Sequence, residues 1–162
     1  LSLHDALPIF VSKKIMGKKT DEIVMPGGHL TVAQLTAMLN TIPLEITFVD
    51  EDNINRFFNE GPKDFKRPGM AIDREVFSCH PPKVEQQVRH IIGEFRKGTL
   101  DKVPIWMEKN GKTMLVTYMA VRDAAGTYLG TMELVQDMGF AKEHFLSDVK
   151  AKEAALRAGM ED

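Results

Sequence analysis

The 162 residues carry 21 Lys and Arg against 23 Asp and Glu, a net charge of −2. That length suits one domain with a real core, and basic residues dispersed among acids exclude the electrostatic footprint of a nucleic-acid binder. The single Cys cannot form an intramolecular disulfide and suits a reducing cytoplasm; no apolar run reaches the about 20 residues of a membrane span.

In chain order, "LSLHDALPI" is apolar but lacks the basic front and small-residue cleavage site of a secretory signal. It looks like the in-frame translation of a short-read sequencing adapter. Residues 1–9 are therefore set aside, His4 and Asp5 are not site candidates, and the native N-terminal portion is expected to be missing. Residues 10–28, "FVSKKIMGKKTDEIVMPGG", have no clean period and end in Pro-Gly-Gly, so they read as a linker at the tail of a lost upstream domain. The domain proper is expected over 29–139. Thr31 and Gln34 form a T-x-x-Q capping box with Leu30 and Leu35 at the staple positions, which predicts a helix over 31–39 that stops before Pro43.

In "LEITFVDEDNINRFF", Leu44, Ile46 and Phe48 alternate with Glu45 and Thr47, the period of a half-buried strand. Asp50-Glu51-Asp52-Asn53 is a turn cluster and Ile54 to Phe58 a second strand, giving a hairpin. Residues 59–79, broken by Gly61-Pro62 and Pro68-Gly69, predict short helical turns and loops.

The segment "HPPKVEQQVRHIIGEFRKG" opens with proline, favourable where helix N–H groups lack partners. Val84, Val88, Ile91, Ile92 and Phe95 form one apolar stripe, and Gly98 ends the helix. "VPIWMEKN" then meets "KTMLVTYMAVRD" across Asn110-Gly111, a strong hairpin signal, and Asp123-Ala124-Ala125-Gly126 turns into "TYLGTMELVQDM". Residues 140–162 form a charge-rich C-terminal helix ending near Gly159. There is no internal repeat and no low-complexity tract. This order predicts an α+β fold, an antiparallel sheet with helices on one face.

The order also resembles that of PAS domains. "VDEDNINRFF" resembles the opening PAS hairpin, "REVFSCHPP" the His-Pro that begins the main helix, and "MAVRDAAGTYLGTMELVQDM" the last hairpin with its closing Asp. Together "LNTIPLEITFVDEDN", "CHPPKVEQQV" and "YLGTMELVQD" resemble a bacterial subgroup whose PAS-like module lies at the C-terminal end of proteins carrying a hemerythrin-like domain. The resemblance covers residues 20–140. It departs at Asp73, where the family more often has Gly before the Arg (here Arg74). It implies a five-stranded antiparallel sheet with helices on one face, flanked by N- and C-terminal helices. Between sheet and helices lies a pocket that in PAS domains holds haem, flavin, a small metabolite or nothing. The implied function is a non-catalytic sensory or regulatory module that binds a small molecule and passes its state to the upstream domain or a partner. One alternative is a haem-binding redox or gas sensor; another is a ligand-free module that forms a homodimer.

Such pockets have mostly apolar walls with a few placed polar groups, and the wall candidates are Phe48, Phe58, Val84, Val88, Ile91, Trp106, Tyr118 and Met132. His80 is the polar candidate and the axial ligand if haem binds. With Val84 at zero and about 100° per residue, the apolar stripe centres near 25°, His90 falls near 240° on the opposite face, and His80 extrapolates to near 320°. Cys79 is a redox candidate because a helix N-terminus lowers a thiol pKa. A metal needs three or four converging ligands, and Cys79 and His80 have no second Cys/His cluster to join. Ten Met residues hint at an adaptable interior. Both faces of 114–121 carry apolar residues, which leaves the inward face open and implies that the outer face is covered too, by the capped helix or a second subunit. No G-x-S-x-G, phosphate-binding glycine loop or H-E-x-x-H occurs, and Asp50, Glu51 and Asp52 read as turn chemistry, so no enzymatic role is expected.

Overall fold

In the computed structural model, which describes residues 11–12, 21–65 and 69–159, the chain divides into two units. One is Leu1–Pro43 with Asn59–Gly61; the other is Leu44–Phe58 with Pro62–Asp162. The expectations for residues 1–9 and 160–162, and for much of the 10–28 segment, lie outside the described residues.

In the first unit, β1 (Val11–Ser12), β2 (Glu22–Met25) and β3 (Gly28–Thr31) pair antiparallel in that order. Met25 pairs with Gly28 across Pro26-Gly27. The Pro-Gly-Gly expected to close a linker is therefore a hairpin turn, and the boundary expected between 28 and 29 falls inside β3. Four residues per strand carry too little alternation to announce themselves. β3 runs directly into α1 (Val32–Thr41) through its cap. Thr31 Oγ1 accepts from the Gln34 N–H at 3.1 Å, and Gln34 Oε1 accepts from the Thr31 N–H at 2.9 Å. That is the predicted capping box, of a kind worth about 1 kcal/mol. At the other end of α1, Asn59 Nδ2 donates to Leu39 O at 3.0 Å and the Glu60 N–H to Asn40 Oδ1 at 2.9 Å.

The second unit is built on β4 (Glu45–Asp50), β5 (Asn55–Phe58), β6 (Lys102–Lys109), β7 (Lys112–Arg122) and β8 (Tyr128–Asp137), with α2 (Pro82–Lys97) and α3 (Gly139–Ala158). Two 3-10 turns, Gly69–Ala71 and Val76–Cys79, precede α2. The strand order is β5-β4-β8-β7-β6, with every neighbouring pair antiparallel. This is the predicted five-stranded α+β architecture. The β6–β7 turn is Asn110-Gly111, with φ of 52° and 75°, the pair of left-handed residues that a two-residue turn needs to match strand twist.

The β4–β5 turn is organised by one carboxylate. Asp50 Oδ1 accepts from the N–H groups of Asp52 (3.0 Å) and Ile54 (2.9 Å), while Oδ2 accepts from Arg56 Nε at 2.5 Å. Arg56 in turn reaches Asp73 Oδ1 at 2.8 Å. Burial alone would raise the Asp50 pKa, but the hydrogen bonds from Ile54, Arg56 and Asp52 outweigh it and hold the carboxyl below its ordinary 3.8. Folded Asp50 thus binds its proton less tightly than unfolded Asp50. Its contribution to stability is complete above pH 3.8 and is lost as pH falls through the lowered folded value. Asp50→Asn is expected to cost about 2 kcal/mol at neutral pH. Urea unfolding at pH 7 and pH 3 would show the difference between the two proteins shrinking in acid; a constant difference would assign Asp50 no role in the acid limb.

α2 starts with Pro82, carries Glu85 in its first turn and ends at Gly98. Val88, Ile91, Ile92 and Phe95 are its buried residues. Val88 and Ile92 cluster with Val49 of β4 and with Val76 and Phe77 of the second 3-10 turn. Val84, expected to open the stripe, is instead 40% exposed: Val76 and Phe77 enter the core just before the helix, and its first turn stays outside. His90 is exposed, as its position on the helical wheel requires.

α3 has no buried residue along its 20 residues. Its start is fastened to the β6–β7 hairpin. The Met138 N–H donates to Thr113 O at 2.8 Å, Lys142 Nζ to Thr113 Oγ1 at 3.0 Å, and Lys142 lies 3.5 Å from Glu108. Among the described residues no helix is long and apolar enough to cross a membrane.

Candidate ligand-binding site

Side chains alternate across a strand, and antiparallel partners share a face, so one anchored residue orients the whole sheet. Val49 packs with Val88 and Ile92 of α2. Glu45 and Thr47 therefore face the same inner side, and so do their partners Val135, Glu133 and Thr131 on β8. The pairing continues inward through Val116, Tyr118 and Ala120 of β7, and through Ile105 and Val103 of β6.

The result inverts the expected polarity. On β4 and β8 the polar members of the alternation face inward, whereas Ile46, Phe48, Met132 and Leu134 face the other side. Glu45 (8% exposed), Thr47, Thr131 and Glu133 (9% exposed) are all buried. Ile46 and Thr117, on the opposite face, are buried as well. The sheet is thus covered on both faces at its centre.

The residues proposed as pocket walls divide accordingly. Tyr118 is half-buried on the inner face against Met114, Val116 and Val135. Phe58 pairs with Thr47 and shares that face, and Val88 and Ile91 are buried on α2. Phe48 and Met132 pair with each other on the outer face. Trp106 also faces outward, 60% exposed; its neighbours Ile105 and Met107 pack inward instead. Alternation left the inward face open; the register places Phe48, Trp106 and Met132 on the face away from α2.

His80 caps the second 3-10 turn. Its backbone N–H donates to Phe77 O at 3.2 Å and its Nδ1–H to Val76 O at 2.8 Å, leaving Nε2 as the ring nitrogen with a lone pair. Cys79 ends the same turn, and its side chain lies outside the described residues. Among the described residues no group of three or more His, Cys, Asp or Glu is placed to hold a metal ion.

Sequence reasoning missed Glu45 and Glu133. The two sit on adjacent strands as diagonal neighbours, a relation that separates residues by about 7–8 Å. Glu45 Oε1 accepts from the N–H groups of Asp64 (2.5 Å) and Phe65 (3.4 Å). That loop is also held by Lys112, whose Nζ reaches Asp64 at 3.0 and 3.2 Å and Asp137 at 3.6 Å, and by Lys109 Nζ, 3.3 Å from the centre of the Phe65 ring. The hydrogen bonds that Lys112 donates to the Asp64 carboxylate hold its ammonium pKa above the ordinary value. Glu45 Oε2 is different: it is buried and, among the described residues, has no hydrogen-bond partner. A buried carboxylate oxygen without a donor is costly, and such exceptions in native folds ask for a functional account. The sequence signal was present, because Glu45 and Glu133 occupy strand positions whose alternate neighbours are apolar, but alternation does not say which side is inside.

A five-stranded antiparallel sheet in the order 2-1-5-4-3, with a helix against a partly polar inner face, defines an α+β domain of the PAS type. The PAS domain family model matches residues 35–139, and the chain belongs to the PAS domain family. The crystal structure of a C-terminal domain from Streptococcus mutans is similar at 40% identity and TM-score 0.72, covering 76% of this chain and 97% of that one. The PAS domain of a protein from Colwellia psychrerythraea is similar at 14% identity and TM-score 0.47, covering 67% and 97%. A sensory box sensor histidine kinase from Vibrio cholerae is similar at 12% identity and TM-score 0.48, covering 64% and 87%. No curated protein matches the chain.

Proposed function

We propose that this PAS domain is a non-catalytic sensory module that binds a small molecule between the inner face of β4, β8 and β7 and the segments packed over it, and passes the ligand's presence to a partner domain. The observation that carries this reading is Glu45 Oε2, a buried acceptor with no donor among the described residues, on the face that Tyr118 and Phe58 share. α3, fastened at its start to the β6–β7 hairpin, is the element through which a change in the sheet would leave the domain. A ligand shifts such an equilibrium only by its differential affinity for the two states. The Streptococcus mutans relative is a C-terminal domain, which supports an upstream receiving domain, hemerythrin-like by the resemblance of the sequence, in a bacterial cytoplasmic protein. Native mass spectrometry of the purified chain is expected to show a bound small molecule that is released on unfolding. A chain free of any such compound, and unresponsive to a metabolite library in thermal shift, would defeat the reading.

His80 favours a second reading, haem sensing, because its Nδ1–H is held by Val76 O and Nε2 is left to coordinate. Added haem would then produce a Soret band that His80→Ala abolishes or shifts and His90→Ala does not. A chain that stays colourless rules this out. Exposed Phe140, Phe145, Leu146 and Val149 on α3 support homodimerisation as the third reading, and a mass that stays monomeric at every concentration eliminates it.

A further inference from the structure

We infer that the outer edge of β6 is an interface with a second copy of this chain. The two β6 strands pair antiparallel about a two-fold axis at Ile105, so that Lys102 of each lies opposite Glu108 of the other. The interface stands apart from the ligand-binding reading and from the α3 surface named above. β6 ends the sheet among the described residues, and its edge is the side away from β7. The Ala120 N–H donates to Asp101 O at 2.9 Å, one step beyond the Lys102↔Met119 pair. Hydrogen-bonded pairs alternate along an antiparallel ladder, so Val103, Ile105, Met107 and Lys109 turn their backbone groups to β7. Lys102, Pro104, Trp106 and Glu108 turn theirs to the edge, and these are the exposed members of the strand. An edge of this kind is a template for another strand.

Charge order selects both the occupant and the register. Proline and charged side chains usually guard an edge strand against pairing; here they favour one arrangement. An axis at Pro104 would set that residue opposite its own copy, where neither can donate. An axis at Trp106 would carry Lys102 past the strand end, opposite the Asn110 turn. With Ile105 on the axis, each outward N–H meets an outward carbonyl: Lys102 and Glu108 exchange bonds with their opposites, and the Trp106 N–H reaches Pro104 O. Opposed residues share a face, so Lys102 meets Glu108 and, one step further, Asp101 meets Lys109. Both are the opposite-charge pairs that stabilise neighbouring strands. Trp106, 60% exposed, lies against the Pro104 ring of the other copy, the role in which tryptophan anchors interfaces. On the other face Val103 meets Met107, and Ile105 meets its own copy. The strand runs from basic to acidic about an apolar centre, and an antiparallel copy of itself is its complement.

The test is sedimentation velocity on the purified full chain over a concentration series, with hydrogen exchange read at the same concentrations. A dimer is expected whose formation slows exchange of the Trp106 and Glu108 amides, which lie outside the β6–β7 ladder. Lys102→Glu and Glu108→Lys each set like charges opposite one another and are expected to weaken the dimer about tenfold or more. An equimolar mixture of the two variants is expected to restore it as a heterodimer. The mixture separates charge from damage, because Glu108 also holds Thr113 and Lys142 and a disturbed fold would not be rescued. Phe145→Asp on α3 is expected to leave the dimer intact. A dimer that survives both charge variants, or variants whose mixture stays monomeric, overturns the edge interface. If Phe145→Asp instead abolishes the dimer, the α3 surface is the interface and the β6 edge is not. A chain monomeric at every concentration removes both surfaces and leaves the ligand-binding reading untouched.

Discussion

Gly130→Ala is expected to destabilise the domain by about 3 kcal/mol or more, the range reserved for mutations with a specific structural cause. Gly130 lies in β8 opposite Asp50 of β4 and Val121 of β7. Its φ is +154°, and an added Cβ would stand 2.2 Å from Val49 O and 2.8 Å from the Phe48 ring. The oxygen belongs to the backbone of a central strand, so it cannot swing aside as a side-chain tip would. Relief requires β4 and β8 to separate where their register is tightest. Gly126 is the internal control: its φ is +85°, yet a Cβ added there would meet nothing within 4 Å. Gly126→Ala should cost only the conformational penalty, about 1 kcal/mol. At about 2–4 °C per kcal/mol for a domain of this size, the first variant should melt about 10 °C lower and the second only slightly lower. Equal losses would mean that the close approach of the two strands contributes nothing.

Phe95→Ala is expected to cost about 3–5 kcal/mol. Phe95 is 0% exposed, and its own carbonyl accepts from Arg122 Nη2 at 2.7 Å, so the turn that carries it is tied to β7 and collapses poorly into a cavity. Val84→Ala on the same apolar stripe, 40% exposed, should fall within about 0.5–1 kcal/mol. Denaturant unfolding of the pair would test the inner face of α2 directly. A large loss at Val84 and a small one at Phe95 would turn the helix over and detach the candidate site from its cover.

Much of this architecture was legible because it rests on local chemistry. Thr31 and Gln34 announce a helix start through two reciprocal hydrogen bonds, Asn110-Gly111 announces a turn through two left-handed residues, and Val88, Ile91, Ile92 and Phe95 announce a buried helix face through spacing alone. What stayed hidden depends on partners distant in the sequence. Alternation along β4 is plain, but only its register against β8, and the packing of Val49 on α2, decide that Glu45 and Thr47 point inward. For the same reason Trp106 was expected in a wall that Ile105 and Met107 occupy. The β2–β3 hairpin escaped notice because Glu22-Ile23-Val24-Met25 is too short to show a period. The apolar residues of the sheet's inner face were therefore partly readable, and its buried carboxylates were not.

The anchoring of α3 has a mechanical corollary. A helix of 20 residues extends about 30 Å at 1.5 Å per residue. Held at Met138 and Lys142 and buried nowhere along its length, it behaves as a lever with its fulcrum on Thr113. A tilt of about 10° at that fulcrum displaces the far end by about 5 Å for a rod of this length. Small adjustments of the β6–β7 hairpin would thereby be amplified at the far end of the helix.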